Sequence, residues 1–538
     1  VNWCPRCGTA VSDLEVDHEE TNGHLWHIAY PVAGSDAKLT VATTRPETML
    51  GDTAVAVHPD DERYQSLRGK TVTLPLMNRE IPVVFDSFVD PQFGTGVVKV
   101  TPAHDPNDFE CGKRNSLPLV QVIDGEGKIT AAGGAYAGLD RFEARKRVIA
   151  DLEAQQLLVK TEPHVHAVGK CQRCKTVIEP LVSKQWFARM KPLAEKAIEA
   201  VRDGRTTIRP ENWEKIYFDW MTNIRDWCIS RQLWWGYRIP AWHCAACGEV
   251  TVERKDPTAC AHCGASELRQ DADVLDTWFS SGLWPFSTLG WPDQTADLAK
   301  YYPTSLMIMG YEILFFWCAR MMMLGLEMVG DVPFRHVFIH GIVRNSDRSK
   351  MSKTKGNTVD PLEITPKYGT DAVRLALVQA SAPGADVIWT EDKLPASRAF
   401  ANKIWNAARF LFLNMERAGV RPQIPADPGP AETLEDRWIR SRLNAAAEAV
   451  NRAVDQQRYH EVGQTVWQFF WSEFCDWYVE LKKLRFREGS GLDANWRNLL
   501  WVFDQALRLL HPTMPFITEE LWQRLRGDDA SLPKSITI

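Results

Sequence analysis

The sequence predicts a multidomain α/β protein, and three changes of pattern along the chain support this fold class. Short β-like runs separated by Gly, Pro, Asp and Asn fill residues 10–165, which indicates a β-rich domain with a few helices. Apolar segments alternate between strand-like and helix-like over residues 301–395, which indicates part of a parallel α/β sheet. From residue 396 onward the pattern changes to long amphipathic helices. The length of 538 residues corresponds to three or four domains of roughly 150 residues each.

The individual elements follow from these patterns in chain order. We expect strands over residues 39–42, 53–57, 83–85, 96–100 and 119–123 and a helix over 141–157. In the later regions we expect strands over 305–309 and 337–339, helices over 312–326 and 372–379, and a long helix over 461–486.

Composition and charge exclude two broad classes of protein. The formal net charge is −6 and the pI is about 6.2, so a uniformly basic nucleic-acid coat is excluded, whereas a local basic patch is not. The most apolar run, residues 313–323, is interrupted by Arg320 and falls short of the roughly 20 residues that a membrane helix needs. The N-terminus does not resemble a signal peptide. We therefore expect a cytoplasmic protein that does not bind membranes.

Eight of the 12 cysteines lie in four Cys-x-x-Cys pairs. Two such turns complete a tetrahedron of thiolates about 2.3 Å from a Zn²⁺ ion, and four protein ligands leave no open position for water, so such sites are structural. One pair of turns lies within residues 244–263, and the other two are far apart in sequence, as two halves of a second ribbon around a large insertion. The alternative is disulfide or redox pairing, which a cytosolic chain disfavours. The predicted ligands are Cys4, Cys7, Cys171, Cys174, Cys244, Cys247, Cys260 and Cys263.

A basic segment, Lys-Met-Ser-Lys-Thr-Lys-Gly-Asn at 350–357, follows a predicted strand that ends at His340-Gly341. Lys350 and Lys353 lie three residues apart with small residues nearby, so that two mobile cations can reach one phosphate chain. Such cations stabilise the charge that develops on a triphosphate during attack at its α-phosphate. Taken alone, the segment is more typical of a solvated basic loop.

The same segment resembles the KMSKS loop of class I aminoacyl-tRNA synthetases, with Thr354 in place of the last Ser. Residues 229–240 are similar to the SRQ-x-x-WG segment of that family, and residues 515–522 are similar to the helical anticodon-binding domain of its branched-aliphatic subgroup. The resemblance covers essentially the whole chain. It implies ATP with Mg²⁺ as substrate, Lys350 and Lys353 as catalytic residues, and a set of ATP-binding residues: His340, Gly341, Lys350, Met351, Ser352 and Lys353.

Within that subgroup, residues 42–53, 94–108, 273–281 and 310–321 are most similar to the valine-specific members. This implies L-valine and the tRNA for valine, tRNA(Val), as further partners. Glu312 would pair with the amino group of valine and Trp317 would bound its side chain, although a Trp and a Glu on one helix are also typical core and cap residues. The family more often has Asp at this position, so the side chain of Glu312 is one methylene longer than the usual residue.

Two polar segments of the β-rich region form a second candidate site. One turn and one strand with its following loop supply hydroxyls, two cations and two carboxylates, which together could form a polar pocket; solvent-facing turn polarity is the alternative. By resemblance these are editing residues: Asp105 and Asp108 would bind the α-ammonium group and orient water, and the others would contact the terminal adenosine and the substrate hydroxyl. Editing is needed because a hydrophobic pocket hardly rejects threonine in favour of valine, for which the valine-specific synthetase is itself the standard example. The editing residues are Thr43, Arg45, Thr48, Lys99, Thr101, Asp105 and Asp108.

These observations predict a domain order along the chain. We expect the first half of a zinc ribbon at 1–9, the editing domain at 10–165, the second half of the ribbon at 166–240, the second ribbon at 241–272, the second half of a Rossmann-like catalytic domain at 273–395 and the anticodon-binding domain at 396–538. The HIGH tetrapeptide of the family is absent from the sequence, which begins with Val1. We therefore expect a fragment without the HIGH region or the C-terminal coiled coil, unable to activate valine by itself.

Two other classes of function remain open from the sequence. The chain could act only as a deacylase of mischarged Thr-tRNA, or as a zinc-ribbon module that binds tRNA without chemistry. Isoleucine or leucine specificity is a minor alternative within the synthetase class. We expect a monomer.

Overall fold

A computed structural model describes residues 1–351, 356–431, 433–489 and 491–538. The chain divides into two compact units, Val1–Pro192 with Ile224–Leu283, and Leu193–Asn223 with Trp284–Ile538. Among the described residues, no helix is long and apolar enough to cross a membrane.

The first unit begins with a small antiparallel sheet that carries the first cysteine pair. Strand Asn2–Cys4 lies in its centre, between Thr9–Val11 and Glu179–Pro180. A short helical turn, Asp13–Glu15, leads into the long strand Val16–Pro31. This strand pairs antiparallel with Leu158–Cys171, and Lys38–Thr43 pairs with its second half. The resulting three-stranded sheet joins the small sheet to the β-rich region.

The β-rich region packs a mixed four-stranded sheet under helices. The strand order is Thr71–Leu74, Arg79–Phe85, Ala54–Val57 and Val97–Val100, with the two middle strands parallel. The alternating apolar residues of these strands form a buried core with Ile28, Val41 and Leu152. The helices and helical turns are Pro46–Gly51, Glu62–Leu67, Pro106–Arg114, Ala131–Tyr136 and Arg141–Ala154.

Four of the five strands expected here are confirmed, but the prediction of a strand over 119–123 is wrong. Only Ile123 forms a single antiparallel bridge, with Ile129. The backbone N–H groups of Val122 and Ile123 donate to the Nε2 atom of the buried His104 instead of to a neighbouring strand. The imidazole of His104 therefore takes the place of the neighbouring strand that the apolar run predicts as hydrogen-bond partner.

The rest of the first unit consists of short pairings and the second cysteine ribbon. Strand Ala241–Cys244 lies between Val250–Val252 and Leu268–Gln270. Two further antiparallel pairs are Phe187–Ala188 with Trp227–Cys228 and Ser230–Arg231 with Val274–Leu275.

The second unit contains a parallel three-stranded sheet. Phe334–His340 is its middle strand, flanked by Thr207–Arg209 and Thr304–Gly310. This confirms the strands expected over 305–309 and 337–339. The expected helix over 312–326 is built from three parts, the turn Tyr311–Ile313, the π-helical segment Leu314–Ala319 and the α-helix Arg320–Met328. The other elements of this part of the chain are Lys191–Arg202, Asn212–Thr222, Ala296–Tyr301, Pro361–Tyr368 and Thr370–Ala380, together with the parallel pair Val343–Arg344 and Val387–Ile388. Helix Thr277–Ser287 begins in the first unit and ends in the second.

From residue 393 onward the second unit is helical. The helices are Lys393–Arg417, Leu434–Asp455, Tyr459–Gln468, the π-helical segment Phe469–Tyr478, Val479–Glu488, Leu492–Leu510 and Pro515–Arg526. The long helix expected over 461–486 is confirmed, since its three parts follow one another without a break. Their apolar faces share one core that includes Phe400, Phe470, Phe503 and Trp522.

Candidate functional site

Of the residues predicted to bind ATP and the amino acid, His340, Gly341 and Glu312 lie at the carboxyl ends of two neighbouring parallel strands. Gly310, at the end of one strand, is in register with His340, at the end of the next. Ligands of parallel α/β sheets bind at this edge. Gly341 follows directly, and a Cβ there would lie 2.0 Å from the carbonyl oxygen of Ala385, so only glycine fits this close approach.

Lys350 and Glu312 are brought together at this edge. The Nζ atom of Lys350 donates to Oε1 of Glu312 at 2.7 Å, and both side chains are exposed. Glu312, the residue predicted to pair with an ammonium group, therefore holds a lysine ammonium. Trp317 is half-buried in the π-helical segment that follows, and Met351 is half-buried next to Lys350. Ser352 and Lys353 lie outside the described residues.

The second candidate site is a buried polar cluster around Lys99. Its Nζ atom lies 2.9 Å from Oγ1 of Thr48, 2.6 Å from Oγ1 of Thr101 and 3.4 Å from Oδ1 of Asp52. Lys99 and Thr101 alternate with Val100 at the end of one strand, and Thr48 lies on the helical turn Pro46–Gly51. Three of the predicted editing residues are thus in direct contact.

Sequence reasoning assigned no role to two members of this cluster, Asp52 and Tyr30. Thr101 donates to Oδ1 of Asp52 at 2.6 Å, and the phenol of Tyr30 donates to Oδ2 at 2.7 Å. Burial raises the pKa of Asp52, although Lys99 and the two hydroxyl donors oppose that shift. The sequence pattern indicates no role for Tyr30, because a tyrosine on an apolar strand face is an ordinary core residue.

Asp105 and Asp108 lie next to the cluster, at the start of helix Pro106–Arg114. Asp105 caps the helix by accepting from the backbone N–H groups of Asn107 and Asp108. Asp108 is buried and accepts from the N–H group of Thr101 at 2.8 Å. Burial raises the pKa of Asp108 to about 7, and the charges of Asp105 and Asp52 add to that shift while Lys99 opposes it. Asp108 therefore changes its charge near neutral pH.

Arg45 and Thr43 continue the same polar surface. The hydroxyl of Thr48 donates to the carbonyl oxygen of Arg45, and the Arg45 N–H donates to Oγ1 of Thr43. The guanidinium of Arg45 pairs with Glu47 and Glu179; burial lowers its pKa, but these two carboxylates outweigh that effect and raise it. Of these partners, Glu179 lies far away in sequence and nothing in the local pattern indicates it.

The eight cysteines predicted as metal ligands form two groups of four. In each group the Sγ atoms lie within 4.8 Å of one another, and no cysteine of the described chain is in a disulfide. Backbone N–H groups donate to sulfur in both groups, from Cys7 to Cys4 and from His262 to Cys260, each at 3.4 Å. Four thiols converging on one point are the donor set of a structural zinc site. The residues present therefore fit the metal.

Comparison with known proteins gives two family matches and two closely similar relatives. The family described as tRNA synthetases class I (I, L, M and V) matches residues 1–390, and the anticodon-binding domain of tRNA ligase matches residues 436–537. The chain is 63% identical over 538 residues to a valine–tRNA ligase of Solibacter usitatus, covering 100% of this chain and 61% of that protein. It is 56% identical over 536 residues to a valine–tRNA ligase of Syntrophotalea carbinolica, covering 98% of this chain and 59% of that protein. The chain thus spans about three fifths of the length of these relatives.

Among solved structures, the chain resembles a Mycobacterium tuberculosis methionyl-tRNA synthetase bound by methionyl-adenylate. The TM-score is 0.52 and the identity 20%, with 69% of each chain covered. At this identity the likeness concerns the fold alone.

Proposed function

Because the chain belongs to the class I tRNA synthetases of the isoleucine, leucine, methionine and valine group, we propose that it forms part of a valine–tRNA ligase with a hydrolytic editing site. The observation that carries this proposal is the 63% identity to a valine–tRNA ligase along all 538 residues. The reaction joins the carboxylate of valine to the α-phosphate of ATP and releases pyrophosphate. The ribose hydroxyl of tRNA(Val) then attacks the carbonyl carbon of the valyl-adenylate, which forms the valyl ester and releases AMP.

In the first reaction, the residues at the strand ends position and stabilise charge. We assign Glu312 to the valine ammonium group, Trp317 to its side chain, and His340 with Gly341 to the adenosine. Lys350 and Lys353 would stabilise the negative charge that grows on the phosphates as pyrophosphate leaves, and Mg²⁺ would accompany ATP as part of the substrate. The ion pair of Lys350 with Glu312 supports these two assignments, because it brings the two side chains together.

The editing reaction is assigned to the Lys99 cluster. A water molecule attacks the ester carbon of Thr-tRNA, the ester bond to the ribose breaks, and threonine and free tRNA leave. Asp105 and Asp108 would hold the α-ammonium group and orient the water. Thr43, Arg45, Thr48, Lys99 and Thr101 would contact the terminal adenosine and the threonine hydroxyl.

The burial of the cluster supports selection of threonine over valine. The hydroxyls of Thr48 and Thr101 and the ammonium of Lys99 are nearly excluded from water. A threonine hydroxyl can join this network, whereas a valine methyl group forms no hydrogen bond with it and so forgoes about 1.5–3 kcal/mol for a bond to the charged Lys99.

We also propose one structural Zn²⁺ ion in each cysteine group. Cys4, Cys7, Cys171 and Cys174 would hold one, and the other would be held by the four cysteines of 244–263. Zinc at such sites supplies crosslinks and takes no part in the reaction. Metal analysis of the purified chain should give two zinc ions per molecule, and a value near zero would contradict the assignment.

Deacylation of Thr-tRNA(Val) tests the editing assignment. The wild-type chain should release threonine well above the spontaneous rate, and Asp105→Ala should slow this release. Asp86→Asn is a matched control, because Asp86 is a buried carboxylate of the same region that pairs with Arg114 instead. An unchanged rate in Asp105→Ala would contradict the assignment, and tRNA binding without hydrolysis by the wild type would favour the RNA-binding module.

The ligase assignment can be tested in cells. A complete valine–tRNA ligase in which this chain replaces the matching segment should restore growth to a bacterium whose own valine–tRNA ligase is depleted, and Lys350→Ala should abolish that rescue. Failure of the unaltered hybrid to restore growth would contradict the proposal.

A further inference from the structure

Arg45 is held from three sides by groups of three different segments. Its Nη2 atom donates to Oε2 of Glu179, its Nη1 atom to the carbonyl oxygen of His104 at 3.3 Å, and its Nε atom to Oε1 of Glu47 at 3.4 Å. Only 28% of the side chain is exposed. A long arginine side chain with this many fixed contacts has lost most of its rotamer freedom, so its free N–H directions are set in advance.

Glu179 is the partner that comes from outside the β-rich region. It is 2% exposed and sits on the short strand Glu179–Pro180. Its second oxygen accepts from Nη1 of the buried Arg141 at 2.6 Å, and Nη2 of Arg141 donates to the carbonyl oxygen of Val177 at 2.7 Å. One carboxylate therefore joins two arginines, and neither of its oxygens is left for solvent.

The position of Glu179 is set by the first cysteine ribbon. Glu179 is in register with Trp3 of the strand Asn2–Cys4, which ends at a cysteine of the group, and it follows Cys174 by five residues. The indole of Trp3 donates to the carbonyl oxygen of Gly125 at 2.8 Å, which ties the ribbon to the β-rich region. Closure of the four cysteines thus fixes the strand from which Glu179 reaches Arg45.

We propose that Glu179 is a positioning residue of the editing site, which holds Arg45 in place for the terminal adenosine and thereby makes the first cysteine ribbon part of the editing apparatus. This inference rests on the proposed editing function. Glu179 touches no substrate in this account and acts only through Arg45. Loss of its charge frees Arg45 to swing toward Glu47 or solvent, so binding of the terminal adenosine must then order this side chain at a cost in affinity.

The test compares Glu179→Gln with Asp86→Asn in the complete 538-residue chain. Both variants remove one buried carboxylate that pairs with arginine, but only the first touches Arg45. A non-hydrolysable threonylamino analogue of the terminal adenosine serves as probe, and its Kd is measured by calorimetry beside KM and kcat for Thr-tRNA(Val). We expect Glu179→Gln to raise Kd and KM by on the order of ten-fold with a smaller change in kcat, because uniform binding is lost. Asp86→Asn should leave these constants within about two-fold.

Further variants separate positioning from folding. Glu179→Asp keeps the charge and should recover most of the affinity for the analogue. If the defect came only from the loss of a well-packed buried ion pair, the shorter side chain of Glu179→Asp would not restore the affinity. Cys174→Ser in the first ribbon should weaken analogue binding, whereas Cys263→Ser in the second should not. Thermal unfolding of every variant shows whether it is folded.

The outcomes are distinct. If the wild-type chain neither binds the analogue nor hydrolyses Thr-tRNA(Val), the proposed function and this inference both fail. If the wild type is active and Glu179→Gln matches Asp86→Asn in Kd and KM, only the inference is overturned. Equal effects of Cys174→Ser and Cys263→Ser would overturn the role of the ribbon.

Discussion

Two buried lysines in different regions of the chain lie in clusters of nearly the same composition. Lys99 is grouped with Asp52 and Tyr30 in the β-rich region, and Lys482 with Asp436 and Tyr478 in the helical region. In each cluster a tyrosine hydroxyl donates to the aspartate at 2.7 Å. The two clusters contain the same types of residue, so they differ in how completely their polar groups are paired by hydrogen bonds and ion pairs within the cluster.

The helical cluster is closed. Lys482 is 0% exposed and its ammonium lies 2.7 Å from Asp436, whose other oxygen accepts from Thr433. Asn495 accepts a further hydrogen bond from Lys482. Burial lowers the pKa of Lys482 while Asp436 opposes that shift. Every polar group has its partner within the cluster, which is the arrangement of a structural ion pair.

The cluster around Lys99 is open by comparison. Its aspartate is 3.4 Å away, its nearest partners are two neutral hydroxyls, and 10% of its side chain remains exposed. Two further carboxylates, Asp105 and Asp108, lie beside it, one of them with its pKa raised to about 7. Lys99 is therefore only partly neutralised by its neighbours, and it lies next to Asp108, a carboxylate whose pKa is near neutral pH. Such a pair can bind the polar or charged groups of a ligand. The same residue types thus build a stabilising contact in one region and a candidate site in the other.

The largest expected effect is on stability, in the closed cluster. Lys482→Met should lower the free energy of unfolding by about 3–5 kcal/mol, because Asp436 is left as an unpaired buried charge. Urea denaturation followed by circular dichroism measures the change. The double variant Lys482→Met with Asp436→Asn should recover part of the loss, and hydrolysis of Thr-tRNA(Val) should stay at the wild-type rate. A loss below about 1 kcal/mol would place Lys482 among ordinary surface lysines.

The second effect is on activity, in the open cluster. Lys99→Met should slow the hydrolysis of Thr-tRNA(Val) by about 100-fold, or about 2.7 kcal/mol, since a preorganised cation is lost from the pocket. Single-turnover release of labelled threonine measures it. Hydrolysis that survives this change would remove the distinction between the two lysines.

The third effect is a pH dependence. With a pKa of about 7, Asp108 is protonated at pH 6 and ionised at pH 8, so hydrolysis should fall by about ten-fold from pH 8 to pH 6 after subtraction of the spontaneous rate. The free energy of unfolding should depend on pH in the opposite direction to the rate of hydrolysis. The folded state binds this proton more tightly than the unfolded chain, whose ordinary value is 3.8, so the contribution of Asp108 to stability falls as the pH rises from about 4 through 7. A flat profile between pH 6 and 8 would exclude Asp108 from the reaction.

The smallest effects concern the two tyrosines. Tyr30→Phe and Tyr478→Phe each remove one hydrogen bond to a buried aspartate and should each cost about 1–2 kcal/mol of stability. Only Tyr30→Phe should also slow hydrolysis, by a few-fold, because Asp52 helps to place Lys99 and Thr101. Equal rates in the two variants would show that Asp52 does not support the site.

The candidate site was predictable where chemistry follows local spacing. Lys99 and Thr101 alternate on one strand face, and the sequence predicts Asp105 and Asp108 on the loop that follows, where the structure instead begins helix Pro106–Arg114. Glu179 comes from a strand that is distant in sequence, and the pairing of that strand with Asn2–Cys4 brings it to Arg45. Lys482 gave no signal either, because a lysine on an amphipathic helix is normally solvated.

The fold was predictable to a similar depth. The alternation of apolar segments identified the parallel strands and the long helices, since these patterns depend on neighbours along the chain. The segment 119–123 reads as a strand, but the backbone of Val122 and Ile123 is satisfied by His104, a partner that no periodicity reveals. The pairing of Lys350 with Glu312 likewise depends on where two loops meet.

The most direct test of the central claim, that the open cluster selects a hydroxyl for hydrolysis, is the ratio of two rates. Thr-tRNA(Val) and Val-tRNA(Val) are deacylated by the wild-type chain under single-turnover conditions, each corrected for spontaneous hydrolysis. We expect the threonyl ester to be cleaved at least about 100-fold faster, because the threonine hydroxyl forms a hydrogen bond with the Lys99 cluster that a valine methyl group cannot form. Equal rates for the two esters, or no hydrolysis of either, would contradict it.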